Sequence, residues 1–283
     1  MKVKVAEKCG FCPGVRNAIN LARKTLAENS GGKVYCLGQI IHNNDIVDEL
    51  SEAGLETVDS IDEIEGGTVL IRSHGATLAE IEELEKKGVR IVDATCVRVK
   101  RVQRIARELS KERYKVVVIG DENHPEVKAV VGYAENVAVI GSREDLHKLS
   151  GHGKLGVMCQ TTQSPDHFSG TVAEIMDYGF SELKIVNTLC SETKKRQDAA
   201  VKLCKEVDVM FVLGGLHSAN TRKLAELCKK HNNRTFHLQN WRELDKKLVC
   251  GIETVGVTAG ASTPDRVIDS FVEHVKAFGE AGE

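Results

Sequence analysis

Short apolar runs alternate with amphipathic stretches along the chain. The runs VVVIG and VMFVLGG are unbroken by polar residues, whereas elsewhere apolar side chains recur every three or four positions. An unbroken run favours a strand covered on both faces, and the longer spacing is typical of an amphipathic helix. Because the two patterns alternate throughout, the sequence predicts an α/β fold with mainly parallel sheets.

Three cysteines each open a copy of the same sequence unit. Cys12 begins CPGVRNAINLARKTL, Cys96 begins CVRVKRVQRIARELS and Cys190 begins CSETKKRQDAAVKLC. In each copy a helical pattern leads to an apolar strand whose final glycine lies 26, 24 and 24 residues beyond the cysteine, at Gly38, Gly120 and Gly214. A histidine follows each glycine within four residues, at His42, His124 and His217. The shared register predicts three similar α/β/α units.

The second half of each unit repeats as well. The strand patterns VLIR, LGVMCQ and VGVTA lead into polar loops that contain Ser73-His74-Gly75, Thr161-Thr162 and Gly260-Ala261-Ser262. RIVDATC and ELKIVNTLC then deliver the next cysteine, and MKVKVAEKCGFC at the N-terminus has the matching form. The predicted units are therefore 1–95, 96–189 and 190–283, and the N-terminal strand is expected to complete the third. A pseudo-threefold arrangement of these units would bring the three cysteines to one point.

Composition argues against several classes of protein. The chain has 283 residues and a formal net charge of −2 at pH 7, which gives no electrostatic reason to expect nucleic acid or an anionic membrane as a partner. The N-terminus lacks the apolar segment of a signal peptide, and no run of about 18 apolar residues is present. A cytoplasmic enzyme is expected. Nine cysteines are many for that compartment, where clustered thiols more often bind metal or perform redox chemistry.

Each of the three repeated cysteines precedes a predicted helix, so its thiol would lie at the positive end of the helix dipole. That position favours the thiolate, the form that binds metal. From the residues alone, three interpretations stay open: an iron–sulfur site with one iron lacking a protein ligand, a zinc site with three cysteines and a histidine, and buried thiols without metal. The C-x-x-C of Cys9 and Cys12 also allows a redox dithiol, although a dithiol leaves Cys96 and Cys190 unexplained.

Polar loops at the strand ends are the second candidate feature. In parallel sheets the carboxyl ends of the strands meet at one edge, where ligands bind. These loops are rich in neutral hydrogen-bond donors and small residues, a combination that suits a phosphate or diphosphate. Their polar and small residues include His42, Asn43, Ser73, His74, Asn123, His124, Thr161, Thr162, Ser218, Ala219, Asn220, Ala261 and Ser262. Glu126 is the carboxylate of these loop motifs, and its pKa would rise near an anion, which suits a proton donor.

Several motifs together resemble the LytB/IspH family. They are GFCPGVRNAI, IIHN, RSHG, DATC, NHPEV, QTT, NTLC and VTAGASTPD, in collinear order over nearly the whole chain. The resemblance implies the last step of the non-mevalonate (MEP/DXP) isoprenoid pathway, in which (E)-4-hydroxy-3-methylbut-2-enyl diphosphate loses its allylic hydroxyl by reduction. The products would be isopentenyl diphosphate and dimethylallyl diphosphate. The resemblance also implies a three-domain trefoil around a central [4Fe–4S] cluster, with three cysteine ligands and one open iron.

The resemblance implies roles residue by residue. Cys12, Cys96 and Cys190 match the cluster ligands. The positions that hold the diphosphate match His42, His74, Ser218, Asn220 and Ser262. Ala219 stands where many relatives carry Ser or Gly, so a contact there would come from the main chain. The group near the reacting hydroxyl matches His124, Glu126 and Thr161, with Glu126 as the proton source. The family pattern gives no role to Cys9 or His217.

No nicotinamide or flavin motif is evident, so the electrons are expected from a small carrier such as ferredoxin or flavodoxin. Two other classes of protein compete with this enzyme. An iron–sulfur sensor of iron or redox state without turnover would leave Glu126 and the diphosphate loops unexplained. A zinc-dependent hydrolase of a phosphorylated substrate would use an open zinc position for water and would be colourless. Neither class accounts for the whole set of motifs.

Overall fold

The computed structural model describes residues 1–29, 31–41, 43–151, 153–216 and 218–280. Its strands, in chain order, are β1 (Lys2–Val5), β2 (Val34–Leu37), β3 (Leu55–Val58), β4 (Thr68–Ile71), β5 (Arg90–Asp93), β6 (Lys115–Ile119), β7 (Val137–Ile140), β8 (Lys154–Cys159), β9 (Glu182–Ile185), β10 (Val209–Leu213), β11 (Thr235–Leu238) and β12 (Thr254–Ala259). Its α-helices are α1 (Pro13–Glu28), α2 (Asn44–Glu52), α3 (Leu78–Lys86), α4 (Val97–Lys111), α5 (Pro125–Val131), α6 (Pro165–Ile175), α7 (Ser191–Cys204), α8 (Ala219–His231) and α9 (Asp265–Glu280).

The strands of the described residues form three four-stranded sheets in which every pairing is parallel. Their strand orders are β3-β2-β4-β5, β7-β6-β8-β9 and β11-β10-β12-β1. In each sheet the two inner strands are followed in sequence by the polar loops of the repeated motif. The predicted α/β class with repeated parallel sheets is confirmed.

The third sheet takes its last strand from the N-terminus. Residues 2–5 of β1 align in parallel with residues 254–257 of β12. In the other two sheets this place belongs to β5 and β9, which precede Cys96 and Cys190 as β1 precedes Cys12. All three repeated cysteines therefore follow an outer strand of the same kind. The division into 1–95, 96–189 and 190–283 stays a prediction.

Alternate side chains of the inner strands enter different buried clusters. In β6, Val116 and Val118 pack in the cluster that holds α4 and α5 residues, whereas Val117 and Ile119 pack in the cluster that holds α6 residues. The same alternation divides β10, whose residues pack either with α9 or with α7 and α8. Successive side chains of a strand point to opposite faces, so these two sheets have helices on both sides, and the buried residues of β6 and β10 are apolar on both faces.

Residue contacts group the chain into two compact units. Unit one comprises the described residues of Met1–Arg16, His42–Asp45 and Ser191–Glu283, and it contains the sheet β11-β10-β12-β1. Unit two comprises those of Asn17–Ile41 and Ile46–Cys190, and it contains the other two sheets. Within the described ranges, no helix is long and apolar enough to cross a membrane.

Candidate functional site

The three repeated cysteines occupy the same local position in the fold. Each is the residue before a helix: α1 begins at Pro13, α4 at Val97 and α7 at Ser191. The main-chain carbonyls of Cys12 and Cys96 accept the first helical hydrogen bonds, from Arg16 and Lys100, both at 2.9 Å. Each thiol therefore lies at the positive end of a helix dipole.

One hydrogen bond fixes each cysteine to a strand-end loop, and it is the same bond in all three repeats. The donor is the main-chain N–H of the cysteine, and the acceptor is the carbonyl of the second loop residue after an inner strand. The pairs are Cys12 to Ala261 at 3.2 Å, Cys96 to Ser73 at 3.0 Å and Cys190 to Thr161 at 2.8 Å. The repeat seen in the sequence is thus a repeat of geometry, with each thiol tied to a loop that carries predicted substrate contacts.

The chemistry of these three residues fits a thiolate-ligated metal group. None of these three cysteines forms a disulfide, and all three are partly exposed. The Cys12 Sγ accepts a hydrogen bond from the Val15 N–H at 3.4 Å. Cys12 belongs to unit one, whereas Cys96 and Cys190 belong to unit two. In the part of the chain that the structure describes, no group of three or more His, Cys, Asp or Glu side chains forms a metal site. Cluster ligation by these cysteines stays a prediction.

In two of the three repeats, the residue three positions before the cysteine shapes the turn that leads to it. Asp93 accepts a hydrogen bond through Oδ1 from the Thr95 N–H at 2.9 Å, and Asn187 accepts one from the Leu189 N–H at 3.0 Å. Both are side-chain turns of the kind that Asp and Asn form with the residue two positions ahead. Cys9 occupies the corresponding position before Cys12.

Cys9 differs chemically from the three repeated cysteines. It packs against the apolar cluster shared by β10, β12 and α9. Burial raises the pKa of its thiol to about 11, although the Arg196 guanidinium and the Gly10 N–H oppose the shift. At neutral pH the side chain is a neutral thiol. This disfavours a redox dithiol of Cys9 and Cys12, which requires an easily formed thiolate.

Glu126 is a buried carboxylate held by a single residue. Its side chain is 3% exposed, and it lies in α5 directly after Pro125. One carboxylate oxygen accepts the Thr161 N–H at 2.6 Å, and the other accepts the Thr161 hydroxyl at 2.7 Å. Burial raises the pKa of the Glu126 carboxyl, and the two hydrogen bonds from Thr161 oppose that rise. A carboxyl group with a raised pKa can supply a proton near neutral pH.

His124 contacts the main chain of Glu126, and His74 contacts His124. The Nδ1 of His124 accepts the Glu126 N–H at 3.1 Å and so begins α5. In the neutral ring this leaves the proton on Nε2. The His74 and His124 rings meet edge to face, with centroids 5.5 Å apart. The structure thus brings together His74, His124, Glu126 and Thr161, all of which the sequence predicted as site residues.

Thr161 connects this acid group to a repeated cysteine. Its N–H and hydroxyl donate to Glu126, while its carbonyl accepts the Cys190 N–H. The buried carboxylate and the predicted cluster ligand therefore share one intermediate residue in unit two. A displacement of the Thr161 loop would move both.

The predicted diphosphate residues of unit one lie at a helix start and a neighbouring loop. Ser218 precedes α8, and its Oγ accepts the Thr221 N–H at 3.4 Å and the Thr221 hydroxyl at 3.0 Å. Ala219 and Asn220 are the first two residues of α8, whose main-chain N–H groups have no acceptor within the helix. Ser262 lies in the loop between β12 and α9. The start of an α-helix with free N–H groups suits a phosphate oxyanion.

Tight packing holds these two loops together. The Thr263 hydroxyl donates to the Leu213 carbonyl at 3.1 Å, which joins the end of β10 to the loop after β12. Thr221 is fully buried beneath both. A Cβ added at Gly260 would lie 2.1 Å from the Thr221 Oγ1, and one added at Gly214 would lie 2.6 Å from the Thr263 Oγ1. Both positions accept only glycine without movement of their neighbours, because protein atoms already fill the space.

The structure adds a charged residue that the sequence analysis overlooked. Arg196 is buried in α7, and its Nη1 donates to the Ala259 carbonyl at 3.0 Å, directly before the loop that holds Ser262. The helical spacing could have identified Arg196, since it lies four residues before Ala200 on the apolar face.

Two predicted positions fall outside what the structure describes. His42, predicted to hold the diphosphate, and His217 of the internal repeat lie outside the described residues. For Ala219 the structure describes the main chain alone.

The fold and site define a class: a parallel α/β protein with a thiol at the start of three equivalent helices, a buried acid group and loops suited to an oxyanion. A family model described as LytB protein matches residues 3–276. The chain belongs to this family.

Relatives with the same name are similar over their full length. The 4-hydroxy-3-methylbut-2-enyl diphosphate reductase of Geobacter sulfurreducens is 43% identical over 279 residues, which cover 98% of this chain and 98% of that protein. The reductase of the same name from Thermoanaerobacter sp. strain X514 is 41% identical over 288 residues, covering 100% of both chains.

Solved structures agree with the fold. The structure of (E)-4-hydroxy-3-methyl-but-2-enyl diphosphate reductase, described as the terminal enzyme of the non-mevalonate pathway, is 39% identical. It matches with a TM-score of 0.77 over 98% of this chain and 100% of the other. The E-1-hydroxy-2-methyl-but-2-enyl-4-diphosphate reductase of Plasmodium falciparum, 24% identical, matches with a TM-score of 0.87 over 96% of this chain and 87% of that one. The second match supports the fold alone.

Proposed function

We propose that the chain is a 4-hydroxy-3-methylbut-2-enyl diphosphate reductase that acts at the last step of the non-mevalonate isoprenoid pathway. The reaction breaks one allylic C–O bond and forms one C–H bond. It consumes two electrons and two protons and releases water, with isopentenyl and dimethylallyl diphosphate as products. The observation that carries this proposal is the buried Glu126 carboxyl, held by Thr161 within the family match.

Glu126 is the proton source in this proposal. Its burial favours the protonated form, whereas the two hydrogen bonds from Thr161 stabilise the ionised carboxylate. The group can therefore give up a proton and regain one without a large movement. His124, whose Nδ1 is held by the Glu126 N–H, presents its other ring nitrogen as a donor to the reacting hydroxyl.

The diphosphate is held by neutral donors. Ser218, Asn220 and Ser262 present hydroxyl and amide groups, and the main-chain N–H groups at the start of α8 add partial positive charge. His42 and His74 complete the proposed set, and Ala219 contributes only through its main chain. These contacts hold the substrate in position, so that binding energy is converted into orientation at the reacting carbon.

Cys12, Cys96 and Cys190 are the proposed ligands of a [4Fe–4S] cluster with one iron left open. When bound, such a cluster transfers electrons and acts as a Lewis acid towards the substrate hydroxyl. The contribution of the chain is to fix the three thiols at helix starts and to anchor each to a strand-end loop. Cys9, a partly buried neutral thiol, is outside this set.

The electrons come from a small protein carrier such as ferredoxin or flavodoxin, and the reaction is proposed to take place in the cytoplasm. Two one-electron transfers are needed for each substrate molecule. Neither nucleic acid nor a membrane takes part in the proposed reaction.

Metal analysis combined with turnover tests this function. The protein is purified without oxygen, its iron, sulfide and zinc are measured, and it is mixed with reduced methyl viologen and the hydroxylated allylic diphosphate. The proposal predicts a coloured protein with iron and sulfide that forms both five-carbon diphosphates. A colourless zinc protein, or an iron–sulfur protein that leaves the substrate unchanged, would contradict it.

A further inference from the structure

The three helices that follow the repeated cysteines differ greatly in charge. Helix α4 carries six basic residues and one acidic residue, Glu108. Helix α1 has three basic residues, and all three form ion pairs, with Asp265, Glu49 and Glu28. Helix α7 has four basic and two acidic residues, and one of the basic residues, Arg196, is buried. Positive charge is therefore concentrated on one of three otherwise equivalent helices, in a chain whose net charge is −2.

The basic residues of α4 form a continuous exposed stripe. The buried face of the helix is Val99, Val102, Gln103, Ile105, Ala106 and Leu109. The opposite face exposes Val97, Lys100, Arg101, Arg104, Arg107 and Lys111, which are three or four residues apart except for the adjacent pair Lys100 and Arg101. At 1.5 Å per residue this stripe is about 21 Å long. Pairs of Lys100 with Asp93 and of Arg104 with Glu108 neutralise part of the charge, and the stripe keeps a positive surplus.

An exposed apolar residue stands at the end of the stripe nearest the predicted cluster ligand. Val97 is 76% exposed, the highest value among the exposed large hydrophobic residues of the described chain. It follows Cys96 directly and begins α4. Nothing in the fold of α4 requires an apolar residue at this exposed first position. An apolar contact bordered by basic side chains is the usual anatomy of a surface that binds an acidic protein.

We propose that this α4 surface, defined by Val97, Lys100, Arg101, Arg104, Arg107 and Lys111, docks a small acidic protein that delivers single electrons. The proposal rests on the proposed reductase function, which needs two such electrons for each substrate. Docking here places the carrier against the helix that directly follows Cys96, a proposed cluster ligand. The positive stripe attracts the carrier from a distance and raises the rate of association, while Val97 fixes the docked position.

Direct binding tests this surface independently of turnover. The cluster-loaded protein is titrated with an acidic [2Fe–2S] ferredoxin at low and high salt, and Kd is measured. For the native chain we expect Kd to rise steeply with salt. The double variant Arg101→Glu/Arg104→Glu is expected to raise Kd at low salt by at least about 10-fold, mainly through slower association. Val97→Ser leaves the charge unchanged and is expected to raise Kd through faster dissociation.

A matched control carries the same change of charge elsewhere. Lys229 and Lys230 are exposed near the end of α8, and Lys229→Glu/Lys230→Glu should leave Kd within about twofold of the native value. The surface is wrong if Arg101→Glu/Arg104→Glu binds ferredoxin as tightly as the native chain, or if the control weakens binding equally. Turnover with reduced methyl viologen is measured on the same proteins. If the native chain shows no viologen turnover, the reductase function is refuted. Unchanged viologen turnover in a variant that no longer binds ferredoxin supports the docking surface.

Discussion

The two oxygens of the Glu126 carboxylate are both held by Thr161, one by its N–H at 2.6 Å and the other by its hydroxyl at 2.7 Å. Both residues are buried, and the main-chain carbonyl of Thr161 accepts the Cys190 N–H at 2.8 Å. A single residue thus controls the acid group and the start of α7.

Replacement of Glu126 by Gln should suppress turnover and preserve the cluster. The amide has almost the same shape, but it cannot supply the proton that forms the C–H bond or leaves with water. General acid catalysis contributes about 10²–10⁴-fold, so we expect kcat to fall by at least about 100-fold. Iron and sulfide content should stay at the native level.

The control for this variant is Glu122→Gln. Glu122 is exposed near the start of α5 and has no role in the proposed reaction. It should retain native kcat. Native activity in Glu126→Gln would refute the proton-donor role.

Removal of the Thr161 hydroxyl should move the pH dependence of turnover upwards. That hydroxyl stabilises the ionised carboxylate and so lowers the pKa of Glu126. In Thr161→Val the pKa of Glu126 rises further, and its protonated form persists to higher pH. The alkaline limb of the kcat/KM profile is therefore expected at higher pH than in the native protein. Thr161→Ser keeps the hydroxyl and should show the same pH profile as the native protein. An alkaline limb that stays in place or moves to lower pH would contradict this role.

The two cysteines of the C-x-x-C should respond in opposite ways to substitution. Cys12→Ala removes a proposed cluster ligand and should lower the iron and sulfide content strongly, as should Cys96→Ala and Cys190→Ala. Cys9→Ala removes a partly buried neutral thiol whose pKa is raised to about 11, and it should keep the cluster. The measurement is iron, sulfide and visible absorption of the protein purified without oxygen. Loss of iron in Cys9→Ala together with retention in Cys12→Ala would reverse the assignment.

Packing under the proposed diphosphate loops should make Gly260→Ala costly. Its new Cβ would lie 2.1 Å from the Thr221 Oγ1, so the loop between β12 and α9 must shift. Overpacking of this kind costs about 1–3 kcal/mol in the free energy of unfolding, and the displaced Ser262 should raise KM for the diphosphate. In the double variant Gly260→Ala/Thr221→Ala the clash is removed, so the loss should be smaller than the sum of the single losses.

Gly170 provides the comparison for that substitution. It lies within α6, and a Cβ added there would meet nothing within 4 Å. Gly170→Ala should be neutral or stabilise the protein by up to about 1 kcal/mol, because alanine favours the helix. If denaturant unfolding shows equal effects for Gly170→Ala and Gly260→Ala, the loop packing is not the cause.

The sequence predicted most of the architecture because the repeated pattern depends on hydrophobic periodicity and turn residues, which act locally. Unbroken apolar runs specified β6 and β10, and the cysteine register placed α1, α4 and α7 directly after their cysteines. The N-terminal strand pairs with β12, as the matching form of MKVKVAEKCGFC suggested. Periodicity and turn chemistry act over a few residues, so one sequence is enough to reveal them.

The contacts that organise the site could not be obtained in this way. Glu126 and Thr161 are 35 residues apart, and Arg196 and Ala259 are 63 residues apart. Such pairs are set by how the strands and helices pack, and no local pattern encodes them. The resemblance supplied Glu126 and Thr161 as site residues, but their mutual hydrogen bonds and the role of Arg196 beneath the Ser262 loop emerged only from the structure.

The central claim is that the chain uses two electrons to remove the allylic hydroxyl, and electron-to-product stoichiometry tests it most directly. A known amount of reduced methyl viologen is added without oxygen to the cluster-loaded protein and excess hydroxylated allylic diphosphate. The account predicts one molecule of five-carbon diphosphate product for every two viologen electrons consumed, with the diphosphate intact. Product in which orthophosphate is released, or a protein that takes up electrons and leaves the substrate unchanged, would contradict it.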